Sequence, residues 1–341
     1  MRLSLPVIFT PIRTRIGTVE QAKLMSDLRV AILGCGRMGK ERARCVTQLG
    51  AHIVAVGDIQ IDRAAALAAA YGSCVLPTPE AFVDAAVDAV FVCTPPKNRG
   101  VLELIAVRSK VAFFVEKPIG ASLATSFSVL GELAKQPVIH GVGYMNRYRA
   151  SVRHARCLLS RSTVLGISVY WVGKTYQVSW WLDPAASGGP HNEQATHAFD
   201  LCRFLVGEIS SVRTTFQRVA PDQSPLAAAS SIGFECGSVG SIFYSCQANA
   251  KDIGARVFAA EGTIALTGWD LRMTENTIDG TAPETQSEDI FLVETEAFLS
   301  AVRAGRQELV ACNWSDAIGT QAALDAARDS VGVVPEVNIG G

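Results

Sequence analysis

This 341-residue chain has no excess of charge of one sign, no paired C-x-x-C cysteines and no long apolar run, and each absence removes a class of function. Its 32 acidic side chains nearly cancel 31 basic ones, so no global field draws in nucleic acid or an anionic membrane. The nine cysteines are scattered, several inside apolar stretches. That usage predicts reduced thiols in a cytoplasmic interior, and no zinc-type ligand spacing is present, so no metal is expected. No stretch of about eighteen apolar residues occurs, so no membrane span is expected either. Residues 1–24 lack the order of a signal peptide, because Arg13 and Arg15 follow the short apolar part and no small-residue cleavage site comes after them. Met25-Ser26-Asp27 reads as a natural start, with residues 1–27 as a mobile extension. One local concentration of charge remains, Arg147, Arg149, Arg153, Arg156 and Arg161, and it predicts a solvated helix face rather than a polyanion patch.

What is present begins at Arg29-Val30-Ala31-Ile32-Leu33, an apolar strand running into Gly34-Cys35-Gly36-Arg37-Met38-Gly39. A G-x-G-x-x-G loop between a strand and a helix is the signature of a dinucleotide site. Gly34 allows the tight turn, Gly36 lets backbone approach the pyrophosphate, and Gly39 lets the helix pack closely. The pyrophosphate would sit on the helix N-terminus, where unpaired N–H groups point, which assigns Arg37 and Met38 to the cofactor as well. Asp58 ends the next apolar run, His52–Gly57, nineteen residues past Gly39. Its carboxylate suits the adenosine ribose hydroxyls and would repel a 2′-phosphate. Ile59 and Gln60 follow, with no cation before Arg63, so NAD is favoured over NADP.

Strand and helix patterns alternate through the first half, which predicts an α/β architecture: a Rossmann, doubly wound parallel sheet over residues 28–145. Asp62 is the expected cap of the second helix and Gly72 its stop. Past Tyr148 the β-type runs lengthen and alternate, predicting an α+β domain over 146–341 with a large, mostly antiparallel open sheet. This half is assigned to substrate binding and oligomerisation. Two helices, near Phe291–Ala304 and Ser315–Ser330, close the chain and are placed to pack back on the first domain.

Two further segments carry chemistry. Glu116-Lys117-Pro118 falls at the carboxyl end of a parallel strand, the edge of an open α/β sheet where ligands bind. Lys117 there can reach a nicotinamide, and its ammonium can donate to a substrate oxygen; alone, a strand-end lysine is more often a surface group. In Gly188-Gly189-Pro190-His191-Asn192-Glu193-Gln194-Ala195-Thr196-His197, a helix would set Glu193 and His197 at i and i+4, on one face. A carboxylate there would orient the imidazole and raise its basicity, as a proton acceptor needs, although a surface Glu–His pair has the same spacing.

Taken in order, these pieces resemble the glucose-fructose oxidoreductase/inositol dehydrogenase (Gfo/Idh/MocA) family. The resemblance runs from Leu28 to about Val337. It rests on the Gly34–Gly39 loop, Cys93-Thr94-Pro95, Val115-Glu116-Lys117-Pro118, Gly143-Tyr144-Met145-Asn146-Arg147-Tyr148, Gly188-Gly189, His197-Ala198-Phe199-Asp200 and the closing helix. It implies that Lys117 and His197 are catalytic, that Thr94, Pro95 and Glu116 line the nicotinamide-ribose side, and that Lys117-Pro118 is a cis peptide. It also implies homodimers or homotetramers formed through the outer face of the second sheet. The chain departs from the family pattern at Pro96, where Asn is usual, at Arg99, where His is usual, and at Glu193, where Asp is common.

The function expected is reversible oxidation of a secondary alcohol on a sugar or polyol. His197 takes the hydroxyl proton, Lys117 stabilises the developing alkoxide, Glu193 orients His197, and hydride passes to NAD. Arg147, Tyr148, Tyr176 and Trp181, with Trp180, are the expected substrate contacts. Aromatic faces suit the C–H faces of a sugar ring, although the two tryptophans would equally fill a domain junction. A carbonyl reductase on the same fold, and a non-catalytic NAD sensor, are the alternatives.

Overall fold

The computed structural model describes residues 25–217, 220, 223–281 and 288–329; residues 1–24 of the extension expected at 1–27 lie outside them. Of residues 25–27, Met25 is buried in the core and the exposed Asp27 pairs with Arg303 at 2.8 Å, so this end of the expected extension is fixed.

The first half is built from β1 (Arg29–Leu33), α1 (Arg37–Gln48), β2 (His52–Gly57), α2 (Ile61–Tyr71), β3 (Cys74–Val75), β4 (Ala89–Val92), α3 (Val101–Arg108), β5 (Ala112–Val115), α4 (Ser126–Lys135) and β6 (His140–Val142). Its six parallel strands lie in the order β3-β2-β1-β4-β5-β6. The order reverses between β1 and β4, and the crevice at such a switch point is where a dinucleotide lies. Strands β1, β4 and β5 are continuous apolar runs because helices cover both faces, and their side chains divide between two buried clusters. Gly72 ends α2 in the left-handed conformation as expected. Asp62 is not the cap: the helix starts one residue earlier, at Ile61, and Asp58 Oδ1 accepts from the Gln60 amide just ahead of it.

The second half contains α5 (Ala150–Leu159), β7 (Val164–Lys174), a short turn at Pro184–Ser187, α6 (Thr196–Leu205), β8 (Ile209–Phe216), β9 (Ala227–Phe234), β10 (Val239–Ser245), β11 (Gln247–Ala259), β12 (Gly262–Thr267) and β13 (Arg272–Asn276). The seven strands order as β13-β12-β11-β7-β10-β9-β8, antiparallel except for β7 with β10. One face packs on α5 and α6 through Ile167, Val169, Ile242, Phe199 and Phe204.

The closing helices α7 (Ile290–Ala304) and α8 (Trp314–Asp329) bind the two halves together. Phe298 on α7 sits against Phe91 and Phe114 of the first sheet, with ring centroids 5.3 and 5.4 Å away. Truncating such a fully buried ring costs about 3–5 kcal/mol. On α8, Trp314 donates from Nε1 to the Ser126 carbonyl of the first half, while Ala323 and Leu324 lie in the core of the second.

The basic run is not a solvated face. Arg147 and Arg149 are buried, and the Arg156 guanidinium stacks over the Phe204 ring at 4.2 Å. Arg161 alone is exposed. Arg147 and Arg156 line the seam between α5, α6 and α8, where each guanidinium gains a carboxylate or a ring that periodicity does not reveal, while Arg149 meets Asp270 and Trp269 between β12 and β13.

Candidate active site

The glycine loop is shaped by backbone contacts. Gly34 has φ +89, and a Cβ on it would stand 2.7 Å from the Cys93 carbonyl carbon. A Cβ on Gly39 would collide with the Gly34 carbonyl oxygen, whereas one on Gly36 would meet nothing within 4 Å. That open approach at Gly36, at the start of α1, is the space a pyrophosphate needs. Asp58 holds the loop from the end of β2: its Oδ2 accepts from the Cys35 amide at 2.7 Å. Thr94, just past β4, keeps a buried Oγ1 without a partner, facing the cleft it lines. The loop and this hydroxyl fit a nicotinamide dinucleotide.

At the end of β5, Lys117-Pro118 is a cis peptide, as the resemblance implied. Lys117 Nζ donates to Glu193 Oε1 at 2.5 Å and to the Glu193 backbone carbonyl at 2.7 Å. The other carboxylate oxygen of Glu193 accepts from Trp181 Nε1 at 2.9 Å. Glu193 therefore does not orient His197, which corrects the i, i+4 expectation. Residues His191–Ala195 form a single π-helical turn before α6, and the wider turn rotates Glu193 away from His197 and leaves its carbonyl free for the ammonium. Such turns sit where packing, not propensity, sets the helix.

His197 lies flat on Trp171, with centroids 4.8 Å apart and planes 16° from parallel. Its Nδ1 is buried without a partner. Burial pushes its pKa well below the usual value, and the charges of Lys117, Arg149 and Lys251 push it further down, so the ring is neutral. Lys117, Glu193 and His197 nevertheless line one cleft of about 170 Å³ between the two sheets, together with Arg37, Met38 and Glu116.

Beneath the cleft floor, Arg42 of α1 is fully buried and spans two carboxylates, Glu116 at 2.7 Å and Glu294 of α7 at 2.5 Å, while Thr295 Oγ1 accepts at 3.0 Å. Its guanidinium also stacks on Phe114 at 4.5 Å. Burial pushes the Glu294 carboxyl up to about 7, with Glu116 adding to the rise and Arg42 opposing it. This triad fixes the strand end that carries Lys117. The signal that could have found it is the arginine itself, in an otherwise ordinary charged helix start.

Other expected residues fall differently. Tyr176 lines the cleft, and Trp181 stands behind Glu193 as its hydrogen-bond donor. Trp180 lines it too. Arg147 does not: it forms a buried pair with Asp200, at 2.8 Å from NH2, and donates to the Ala311 carbonyl. Tyr148 is also buried elsewhere, its hydroxyl accepting from the Ala311 amide. Both positions were assigned from chain order after β6, and the short 3₁₀ turn Met145–Tyr148 aims them at α6 and α7 instead. Pro96 and Arg99 line the cleft where Pro95 does not. Gln194, Lys251, Trp171 and Trp269 also line it, and the motifs give no hint of them. Among the described residues, Glu41, Cys45 and Asp289 lie close enough to hold a metal ion, but Arg44 already bridges the two carboxylates.

A dinucleotide loop at a switch point, opening on a cleft with a strand-end lysine and a neutral histidine, defines the class: an NAD-dependent oxidoreductase acting on CH–OH groups. Residues 28–144 match the oxidoreductase family with an NAD-binding Rossmann fold, and residues 160–265 match the GFO/IDH/MocA C-terminal domain. The chain is 29% identical to scyllo-inositol 2-dehydrogenase (NAD(+)) of Bacillus subtilis, over 83% of this chain and 89% of that one. It is 27% identical to inositol 2-dehydrogenase of Rhizobium meliloti, over 92% and 99%. UDP-N-acetylglucosamine 3-dehydrogenase from Acidithiobacillus ferrooxidans shares the fold, with TM-score 0.80, 20% identity and coverage of 89% and 97%. The chain belongs to the Gfo/Idh/MocA oxidoreductase family.

Proposed function

We propose that the chain oxidises a secondary alcohol of a sugar or polyol, with Lys117 and His197 as its catalytic groups. The observation that carries this reading is their convergence, from segments 80 positions apart in sequence, on one cleft at the glycine loop. Bound NAD supplies the hydride acceptor. The C–H bond of the carbinol breaks with its electron pair leaving as hydride, the O–H proton goes to the neutral imidazole of His197, and a ketone remains. His197 is a weak base in this setting, but the hydroxyl grows strongly acidic as the hydride departs. Lys117 donates to that oxygen and stabilises its negative charge, and Glu193 holds the ammonium in place. Gly34, Gly36, Gly39, the backbone N–H groups of Arg37 and Met38, Thr94 and Glu116 hold the cofactor, and Asp58 with the exposed Ile59 selects NAD over NADP. Tyr176 and Trp180 offer their faces to the sugar ring.

Two further assignments accompany this. The outer face of the second sheet exposes Leu165, Val239, Phe243 and Phe258, an apolar patch that a second copy of the chain would cover in a homodimer or homotetramer. All nine cysteines are free thiols, which fits a reducing, cytoplasmic compartment.

The test is NADH production across polyols, aldoses, uronic acids and amino sugars with NAD and NADP. Turnover with at least one of them, lowered by about 10²–10⁴-fold in Lys117→Ala and in His197→Ala, is the expected result. Full activity of both variants would remove the catalytic assignment.

A further inference from the structure

The cleft carries four cations, Arg37, Arg99, Lys117 and Lys251, against two carboxylates, Glu116 and Glu193. Both carboxylates are already engaged, Glu116 by Arg42 and Glu193 by Lys117 and Trp181. Arg99 is buried and tied to the Val92 carbonyl at 2.6 Å. Arg37 and Lys251 are different: among the described residues, neither has a carboxylate within ion-pair distance. Their recorded neighbours are aromatic faces. Lys251 Nζ sits 4.0 Å from the Trp269 centroid, and the Arg37 guanidinium 5.9 Å from that of Tyr176. Lys251 reaches this place through an irregularity of β11 between Gln247 and Asp252, with its stem passing the bare backbone of Gly173. The two cations come from opposite halves of the molecule and stand near enough that Arg37, after burial, depresses the Lys251 pKa.

Like charges held together without a counter-ion cost free energy, and an anion placed between them recovers it. The start of α1 with its N–H groups already accounts for a pyrophosphate. Lys251 lies on the other side, with Trp171, Trp269 and His197, where the substrate must sit. We propose that Arg37 and Lys251 form a subsite for the carboxylate or phosphoryl group of an acidic sugar, so that the substrate of this dehydrogenase is an anionic monosaccharide rather than a neutral polyol. This rests on the redox reading above. The surrounding indole faces take the C–H faces of the ring, and the charge sets which end enters first.

The experiment compares kcat/KM with NAD for hexuronates, hexose phosphates and neutral hexoses or inositols, in the full chain and in Lys251→Met. The acidic compounds should exceed the neutral ones by at least about 10-fold, and Lys251→Met should lower their kcat/KM by about 10–100-fold, mainly through KM, erasing the preference. Whichever acidic set leads identifies the group bound. Equal or better turnover of neutral compounds, or an acidic preference that survives Lys251→Met, would overturn the proposal. So would an equal loss of NAD affinity measured without sugar, since the cation would then serve the cofactor. If no compound is oxidised although NAD binds, the redox reading fails by itself. Saturation-transfer contacts from glucuronate, compared with glucose in the presence of NADH and lost in Lys251→Met, still decide the anion subsite.

Discussion

Lys117 and Glu193, 76 residues apart in sequence, are joined twice: Nζ lies 2.5 Å from the carboxylate and 2.7 Å from the backbone carbonyl of the same residue. The two residues come from different halves of the chain and meet at the cleft, so the position of the ammonium depends on how the halves pack. His197, by contrast, is held by the Trp171 face and, among the described residues, has no carboxylate partner. The acid thus serves the lysine, and the histidine works as a neutral ring.

Replacement of either proposed catalytic group should be costly to chemistry and mild for cofactor binding. Lys117→Ala and His197→Ala are each predicted to lower kcat by about 10²–10⁴-fold. NAD affinity, followed by fluorescence quenching, should stay within about 10-fold. A variant with wild-type kcat would remove that residue from the mechanism.

The pH profile follows from the burial of His197. Its pKa is held well below 6.5, so the ring stays unprotonated through neutrality, and the acid limb of kcat/KM should lie below pH 6.5. Lys251 is one of the cations depressing it. Removing that charge makes protonation easier, so in Lys251→Met the limb should move up toward 6.5. A downward or absent shift in a profile taken with a neutral substrate would contradict the electrostatic account.

Two glycine substitutions should separate binding from folding. At Gly36 a Cβ meets no protein atom and the backbone is not left-handed, so Gly36→Ala should unfold at nearly the wild-type temperature yet bind NAD at least about 10-fold more weakly. At Gly39 the Cβ strikes the Gly34 carbonyl, so Gly39→Ala should lose about 1–3 kcal/mol or more of stability. Calorimetry and NAD titration on both variants check the contrast. Equal stability of the two would count against the loop geometry.

Stability should also respond to pH through Glu294. Its carboxyl is raised from 4.5 to about 7 on folding, so between those values the folded chain binds more protons than the unfolded one. Stability from this group is therefore largest below pH 4.5 and falls as pH rises toward 7. Relative to Glu294→Gln, the wild type should lose about 1–3 kcal/mol between pH 4.5 and 7.5, with one pKa unit worth about 1.4 kcal/mol. Urea unfolding at the two pH values measures it. A difference that does not change with pH would mean that Glu294 stays ionised throughout.

For the outer sheet face, Phe243→Asp combined with Val239→Asp places two charges in the exposed apolar patch. These substitutions should convert the proposed homo-oligomer to monomer without unfolding the chain, as read by light scattering and circular dichroism. An unchanged mass would move the contact to another face.

Much of the first half was legible because its determinants are local. A β strand, three glycines and an acid at the next strand end form a pattern that can be read along the chain, and Gly34, Gly39 and Asp58 sit where that logic puts them, with Cys93 and the Asp58 carboxylate closing the turn from neighbouring strand ends. The strand-end placement of Lys117 follows in the same way from the apolar run before it. The Glu193–His197 relation was misread because helical spacing assumes 3.6 residues per turn, and the π-helical turn at His191–Ala195 breaks that assumption. Arg147 was misplaced because its partner, Asp200, lies on a helix 53 residues away. Lys251 left no trace at all, since its position comes from an irregular strand pairing.

The amino-acid sequence by itself determined the parallel sheet, the dinucleotide loop and which lysine and histidine to watch. These rest on backbone sterics and apolar periodicity that act over a few residues. Only the tertiary structure decided that Glu193 answers Lys117, that Arg42 is buried between Glu116 and Glu294, and that Arg37 and Lys251 line one cleft. Charges choose partners by distance in space and by the water removed around them, and neither quantity exists until the two halves have packed.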